Sequence, residues 1–313
     1  MSVAHARRFQ VDAGEYPFED HWLDRDGVAM HYVDQGRGAP VLMLHGNPTW
    51  SFLYRKVIRE LSPACRCIAP DYPGFGYSDH PPGYGYTPPE HASWVGTLLD
   101  RLGLDRFVLV VQDWGGPIGM SIAVDRPEQV AGLVICNTWC WPPDMAARIF
   151  SLLMGGARLG RHLQLEKNFF ARRIVASGIV RPENKTPAVL AAYTDPFPTP
   201  DSRMGTWVFP RSIRAQSAWL RSLEEKLPVL RDKPVEMVFA MKDVAFGKES
   251  CIRRWHRHFP EAPVDRLSDA SHYLQEDRPD RIAAAVRRVL ARIGAHPADE
   301  ASARPGPAGT PSA

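Results

Sequence analysis

A chain of 313 residues with 44% hydrophobic content can bury a large core, and an α/β domain of this size often stands as one unit. Its formal charge of +3 implies neither nucleic acid nor an anionic membrane as a partner. No apolar run is long enough to span a bilayer, and residues 1–18 lack the apolar stretch of a signal peptide, so a cytoplasmic protein is expected.

The chain opens with a hairpin from Trp22 to Val33, its turn supplied by Asp26-Gly27, which tolerates positive φ. Strict alternation of strands and helices follows. Strand Val41–Leu44 leads to a helix within Trp50 to Leu61, and strand Cys65–Ala69 to a Gly- and Pro-rich loop. The next helix opens at Thr87 with a capping box, Pro88 at its first position and Glu90 at its third. Its apolar positions Trp94, Val95, Leu98, Leu99 and Leu102 keep helical spacing. Strand Phe107–Val111, a helix from Pro117 to Asp125 and strand Gly132–Cys136 come next. From Trp139 to Arg211 there are helical pieces but no strand. Alternation resumes with strand Val235–Met241, a helix near Glu249 to His258, a short strand Val264–Leu267 and a final helix, Pro279–Ile293.

Parallel strands need crossover helices, so this order implies a mainly parallel sheet flanked by helices. The expected organisation is a core of residues 1–138 and 212–294, a helical cap of 139–211 inserted after the sixth strand, and a disordered tail of 295–313 rich in Ala, Pro, Gly and Ser. In such sheets ligands bind at the carboxyl ends of the strands, where the cap would enclose them. Nucleotide-binding glycine motifs are absent from the sequence. The five cysteines lack the spacing and histidines of a zinc site, so no metal is expected. Arginine clusters at Arg253, Arg254 and Arg257, and at Arg281, Arg287 and Arg288, read as solvated helix faces.

The most informative stretch is Val110-Val111-Gln112-Asp113-Trp114-Gly115-Gly116. A strand, a tight turn and a helix around one reactive side chain make a nucleophile elbow. A carboxylate there is ionised at neutral pH and can attack a saturated carbon directly, forming an ester. Hydrolysing that ester needs a base that works near neutral pH, and histidine suits the task. Of eleven histidines, His272 lies on a loop just after the last strand, whereas His45 is better placed to order the loop His45-Gly46-Asn47-Pro48. Asp243, closing the strand from Val235, is the expected carboxylate partner of His272, with Asp265 and Asp269 as competitors. Backbone N–H groups of Asn47 and Trp114 occupy the oxyanion positions. Their side chains add neutral donors suited to a departing halide, which a lysine or arginine would hold too tightly for release.

With these residues in place the chain resembles the haloalkane dehalogenases of the α/β-hydrolase superfamily. The resemblance rests on His45-Gly-Asn-Pro-Thr-Trp-Ser-Phe-Leu-Tyr-Arg55, Asp71-Tyr-Pro-Gly-Phe-Gly-Tyr-Ser78, Gln112-Asp-Trp-Gly-Gly-Pro117, Tyr193-Thr-Asp-Pro-Phe197, Phe209-Pro-Arg211 and His272-Tyr-Leu-Gln-Glu-Asp277. One subgroup carries its acid as a Glu after the sixth strand. Here that region reads Cys136-Asn137-Thr138-Trp139, so the likeness is to the third subfamily, with an Asp-His-Asp triad. It implies Asn47 and Trp114 as halide donors, with Phe209 and Pro210 near the ion and Phe169 lining the slot. It also implies a small apolar halogenated substrate, a detoxifying hydrolysis and no cofactor. Competing readings are an epoxide hydrolase, a fluoroacetate dehalogenase and a non-catalytic sensor or scaffold.

Overall fold

A computed structural model describes residues 5–295. The expected tail, apart from Ala295, lies outside the described residues. The hairpin is present as β1 (His21–Arg25) and β2 (Val28–Gln35), and both turn residues take positive φ, 55° at Asp26 and 77° at Gly27. Then come β3 (Ala39–Leu44), α1 (Arg55–Leu61), β4 (Cys65–Pro70) and α2 (Pro88–Leu102). Glu90 accepts the Thr87 backbone N–H at 2.9 Å, closing the capping box. At the other end Gly103 adopts φ 60° and stops the helix. β5 (Phe107–Gln112), α3 (Gly115–Asp125) and β6 (Val130–Cys136) follow, both strands buried along their whole length.

Between β6 and the next strand the chain is helical. It runs through α4 (Met145–Met154), α5 (Leu159–Arg161), wider turns at His162–Glu166 and Phe170–Ile174, α6 (Val175–Gly178), α7 (Pro187–Thr194), α8 (Met204–Ala215) and α9 (Ser217–Lys226). The expected boundary at Arg211 therefore falls inside α8. The core closes with β7 (Val235–Ala240), α10 (Glu249–His258), β8 (Val264–Leu267), α11 (Leu274–Asp277) and α12 (Pro279–Arg292).

The eight strands form one sheet in the order β1-β2-β4-β3-β5-β6-β7-β8. β2 runs antiparallel to β1 and β4; all other neighbours are parallel. β3 and β5 are adjacent, with Leu44 opposite Val111, yet their outgoing connections diverge. A crevice opens at such a switch point, beyond the carboxyl ends of the two strands. Asn47 follows one of these strands and Asp113 the other.

Two buried acids tie the inserted helices to the core. Glu276 pairs with Arg55, its Oε2 lying 3.0 Å from Nη2, and accepts the Tyr193 hydroxyl at 2.6 Å. Asp277 accepts the backbone N–H groups of Val180 at 2.9 Å and Arg181 at 3.0 Å. All of these groups except the Val180 and Arg181 backbone belong to buried residues. A buried carboxylate left without such partners would be strongly destabilising.

Candidate active site

Asp113 stands between β5 and α3 with φ 48°, a conformation that non-glycine residues rarely adopt. Close packing makes the turn possible. A Cβ on Gly115 would lie 2.1 Å from the Leu44 carbonyl oxygen, and one on Gly46 would lie 2.2 Å from Asp113 Oδ1. The Asp113 backbone is held at both ends: its N–H donates to the Asn137 carbonyl at 3.1 Å, and its carbonyl accepts Thr138 Oγ1–H at 2.5 Å. Strain of this kind costs about 1–3 kcal/mol and persists only where the surroundings fix it.

The Asp113 carboxylate accepts the Asn47 backbone N–H on Oδ1 at 2.8 Å, and the Trp114 backbone N–H also favours its charge. Burial nevertheless raises its pKa above the usual carboxylate range, against the pull of His272 and these two amides. On the other side Oδ2 lies 3.7 Å from His272 Nε2. His272 Nδ1 is 2.9 Å from Asp243 Oδ2. The order nucleophile, acid, histidine along the chain thus becomes one contiguous line in space.

Asp243 is buried, which alone would raise its pKa. The charge and hydrogen bond of His272, the Ala245 N–H at 2.8 Å and the Asn137 side-chain N–H at 2.9 Å reverse this, and the net shift is downward. Burial likewise acts to lower the pKa of His272, but Asp243 and Asp113 outweigh it and push the value up to about 9. Gln112 works in the opposite sense. Its Nε2 donates to the His272 carbonyl at 3.0 Å, which fixes the amide orientation, and lies 3.2 Å from His272 Nε2. A donor facing the ring nitrogen favours the neutral tautomer that carries its proton on Nδ1, towards Asp243.

The competing acids are engaged elsewhere. Asp265 pairs with Arg281 at 2.6 Å, and Asp269 with Arg181 and Arg278, both at 3.0 Å. His45 is buried with its pKa lowered to about 4 by desolvation; its Nε2 accepts the Tyr72 N–H at 3.2 Å, and its Nδ1 lies 2.9 Å from the Gly46 carbonyl oxygen. It braces the Asn47 loop, as its position in the sequence suggests.

On the far side of Asp113 the Asn47 carboxamide donates from Nδ2 to the Thr206 carbonyl at 3.3 Å. The Trp114 ring is almost fully buried, stacked on Phe209 at 5.4 Å and edge-on to Trp139 at 4.7 Å. Among the described residues its indole N–H has no protein acceptor. Phe209 and Pro210 are both buried on α8. Phe169 is half-buried, and its ring packs on Phe170 at 6.3 Å rather than on the Trp114–Phe209 pair.

Three supporting residues escape the sequence reading: Gln112, Asn137 and Thr206. Asn137 had a signal, because it stands just after β6, where another subgroup carries its acid. Gln112 and Thr206 had none.

The chain is similar to several known proteins. The family described as the alpha/beta hydrolase fold matches residues 39–279. Haloalkane dehalogenase 2 of Mycobacterium tuberculosis (strain ATCC 25618 / H37Rv) is 44% identical over 281 residues, covering 89% of this chain and 97% of that protein. A cis-3-alkyl-4-alkyloxetan-2-one decarboxylase of Shewanella oneidensis is 33% identical over 284 residues, covering 88% of this chain and 89% of that protein. Among solved structures, haloalkane dehalogenase DbeA from Bradyrhizobium elkani USDA94 superposes with a TM-score of 0.80 at 28% identity, covering 88% of this chain and 99% of that one.

Proposed function

The chain belongs to the haloalkane dehalogenases of the α/β-hydrolase superfamily, and on that premise we propose a two-step hydrolysis in which Asp113 is the nucleophile. It is a hydrolase acting on carbon–halide bonds. In the first step an Asp113 carboxylate oxygen attacks the halogenated carbon from the rear. The carbon–halogen bond breaks, the halide leaves with the bonding pair, and an alkyl ester forms. Asn47 and Trp114 stabilise the departing ion with neutral N–H donors. In the second step His272 takes a proton from water, which attacks the ester carbonyl carbon. Backbone N–H groups of Asn47 and Trp114 face the developing oxyanion, and the alcohol leaves with the oxygen that Asp113 had supplied.

Esterification neutralises one of the two carboxylates that raise the His272 pKa. The base therefore becomes a free base more readily once the ester exists and water must be activated. Asp243, held by Asn137 and Ala245, stabilises the imidazolium that results. The scheme draws on no metal, nucleotide or oxygen. It includes residues 139–211 as the cap over a core of 1–138 and 212–294, a small apolar haloalkane as substrate, Phe209 and Pro210 close to the ion, Phe169 in the slot, and a cytoplasmic setting. Among the described residues no helix is long and apolar enough to cross a membrane.

The observation that carries this reading is a carboxylate at the elbow with His272 Nε2 3.7 Å from one of its oxygens and neutral donors on its other side. An epoxide hydrolase would need an acid in the cap. Tyr193, the one tyrosine of 139–211, is committed to Glu276 at 2.6 Å, and burial together with that carboxylate pushes its pKa well up. The deciding assay measures free bromide from 1-bromobutane and 1,2-dibromoethane beside a dialkyl-oxetan-2-one and an epoxide. A single turnover in water of heavy oxygen should give unlabelled alcohol and a labelled Asp113. Label in the alcohol at the first turnover would exclude the ester, and carbon dioxide from the oxetanone without bromide release would move the chemistry to that of the decarboxylase.

A further inference from the structure

The Asn47 carboxamide has two N–H bonds and one carbonyl, and its two ends are chemically opposite. If it is to offer an N–H to an anion, something must fix which way it faces. The only partner of its side chain among the described residues is the Thr206 carbonyl, 3.3 Å from Nδ2; Asn47 Oδ1 is buried with no partner. Turning the amide over would set Oδ1 against the Thr206 oxygen, two acceptors face to face. The Thr206 carbonyl therefore selects the orientation and leaves the second N–H unspent.

That carbonyl is available for a reason written in the sequence. Thr206 lies within α8, where its oxygen would ordinarily accept the N–H of the residue four positions on. That residue is Pro210, which has no N–H and whose ring displaces the carbonyl four residues back. The same helix stacks Phe209 on Trp114 at 5.4 Å. Positions 206 and 209 are neighbours on one helix face, so α8 touches both halide donors at once.

We infer that Pro210 is a positioning residue for the halide site: by withholding a backbone N–H it frees the Thr206 carbonyl to orient the Asn47 carboxamide. This role rests on the halide-site reading above and is separate from any contact between the proline ring and the ion. Restoring the N–H should disorient Asn47 even though it repairs the helix.

The test compares the native chain, Pro210→Ala, and a chain with lactic acid at position 210, which like proline has no N–H but lacks the ring. Exchange of the Asn47 side-chain amide protons, followed by NMR on asparagine-labelled protein, should quicken in Pro210→Ala and stay native with lactic acid. Bromide titrations read by tryptophan fluorescence should give a dissociation constant about 2- to 12-fold higher in Pro210→Ala than in the chain with lactic acid, the range of one net hydrogen bond, since both lack the ring and only the N–H separates them. In an Asn47→Leu background Pro210→Ala should have no further effect, as residues acting through one another require. Unchanged exchange in Pro210→Ala overturns the inference whatever the halide result. Equal loss with lactic acid and alanine, or an undiminished loss in the Asn47→Leu background, overturns it in favour of the ring itself. Quickened exchange in a chain whose native form binds no bromide supports the orienting role and discards the halide-site reading.

Discussion

Asp113 has two flanks that are built differently. On the base side Asp243 receives three donors at 2.8–2.9 Å, from His272, Asn137 and Ala245, all carried on segments that follow β6, β7 and β8. On the halide side Asn47 and Trp114 come from the core, but the partners of their side chains include Thr206 and Phe209 of α8. There the one orienting bond is 3.3 Å long and a polar oxygen is left without a partner. Proton transfer needs one geometry, and the sheet edge supplies it. In the proposed scheme an ion that must arrive and leave would meet a looser site, shared between the core strands and α8.

The sharpest way to break the comparison is to remove what both flanks serve. Asp113→Ala should abolish halide release without unfolding the protein, measured as free bromide beside a circular dichroism spectrum; turnover in a folded variant would remove Asp113 from the nucleophile role. Next in size is His272→Ala, which disables the base flank alone. It should release up to one halide per site and then stall, with an alkyl adduct on the Asp113 peptide by mass spectrometry. Sustained turnover would show that the two flanks do not divide the steps.

A smaller change on the same flank is Asn137→Ala, which strips a donor from a charged, buried acid. Ester hydrolysis should slow by about 10- to 150-fold, the range for a hydrogen bond to a charged group, while the first halide is released at nearly the native rate. Loss of the burst instead would place Asn137 on the halide side. Asn47→Leu should do the reverse, weakening bromide binding and slowing the first step by about 5- to 150-fold. Equal bromide curves for both proteins would reduce Asn47 to a turn residue.

The smallest expected difference is in pH. A reference histidine would place the acid limb near pH 6 to 7, but two facing carboxylates push His272 up to about 9 in the free protein. The neutral ring is the active form, so the hydrolytic step should rise with pH through a value below about 9, because the ester has removed the Asp113 charge. The burst needs only ionised Asp113 and should persist to lower pH, failing as that carboxylate, raised above its usual range, protonates. Burst and steady-state rates with the same acid limb would contradict this separation.

On both flanks the principal residues could be read beforehand and their supports could not. Most of the strands are marked by apolar runs and turn residues, and Asp113, Asp243 and His272 stand at or beyond strand ends, where position carries meaning. The start of α3 at Gly115 rather than Pro117 is a local miss, caused by the elbow folding directly into the helix. What stayed invisible depends on contacts far apart in the chain. Gln112 meets His272 across 160 residues, Asn137 meets Asp243 across 106, and Asn47 meets Thr206 across 159. The sequence marks helical pieces between Trp139 and Arg211, not which carbonyl α8 turns towards Asn47.

Glu276 and Asp277 set a limit on exchange between relatives. They lie four and five positions after His272 in a continuous segment, yet their partners Tyr193, on α7, and Val180 and Arg181, in the connection after α6, belong to the insertion between β6 and β7. A chimera that receives only residues 139–211 from a relative would keep this chain's acids but gain foreign partners for them. The penalty would fall on the loop that carries the base. Recombination of these enzymes should therefore succeed when the His272–Asp277 segment travels with the helices it binds, and crossovers between the two should be the ones that lose activity first.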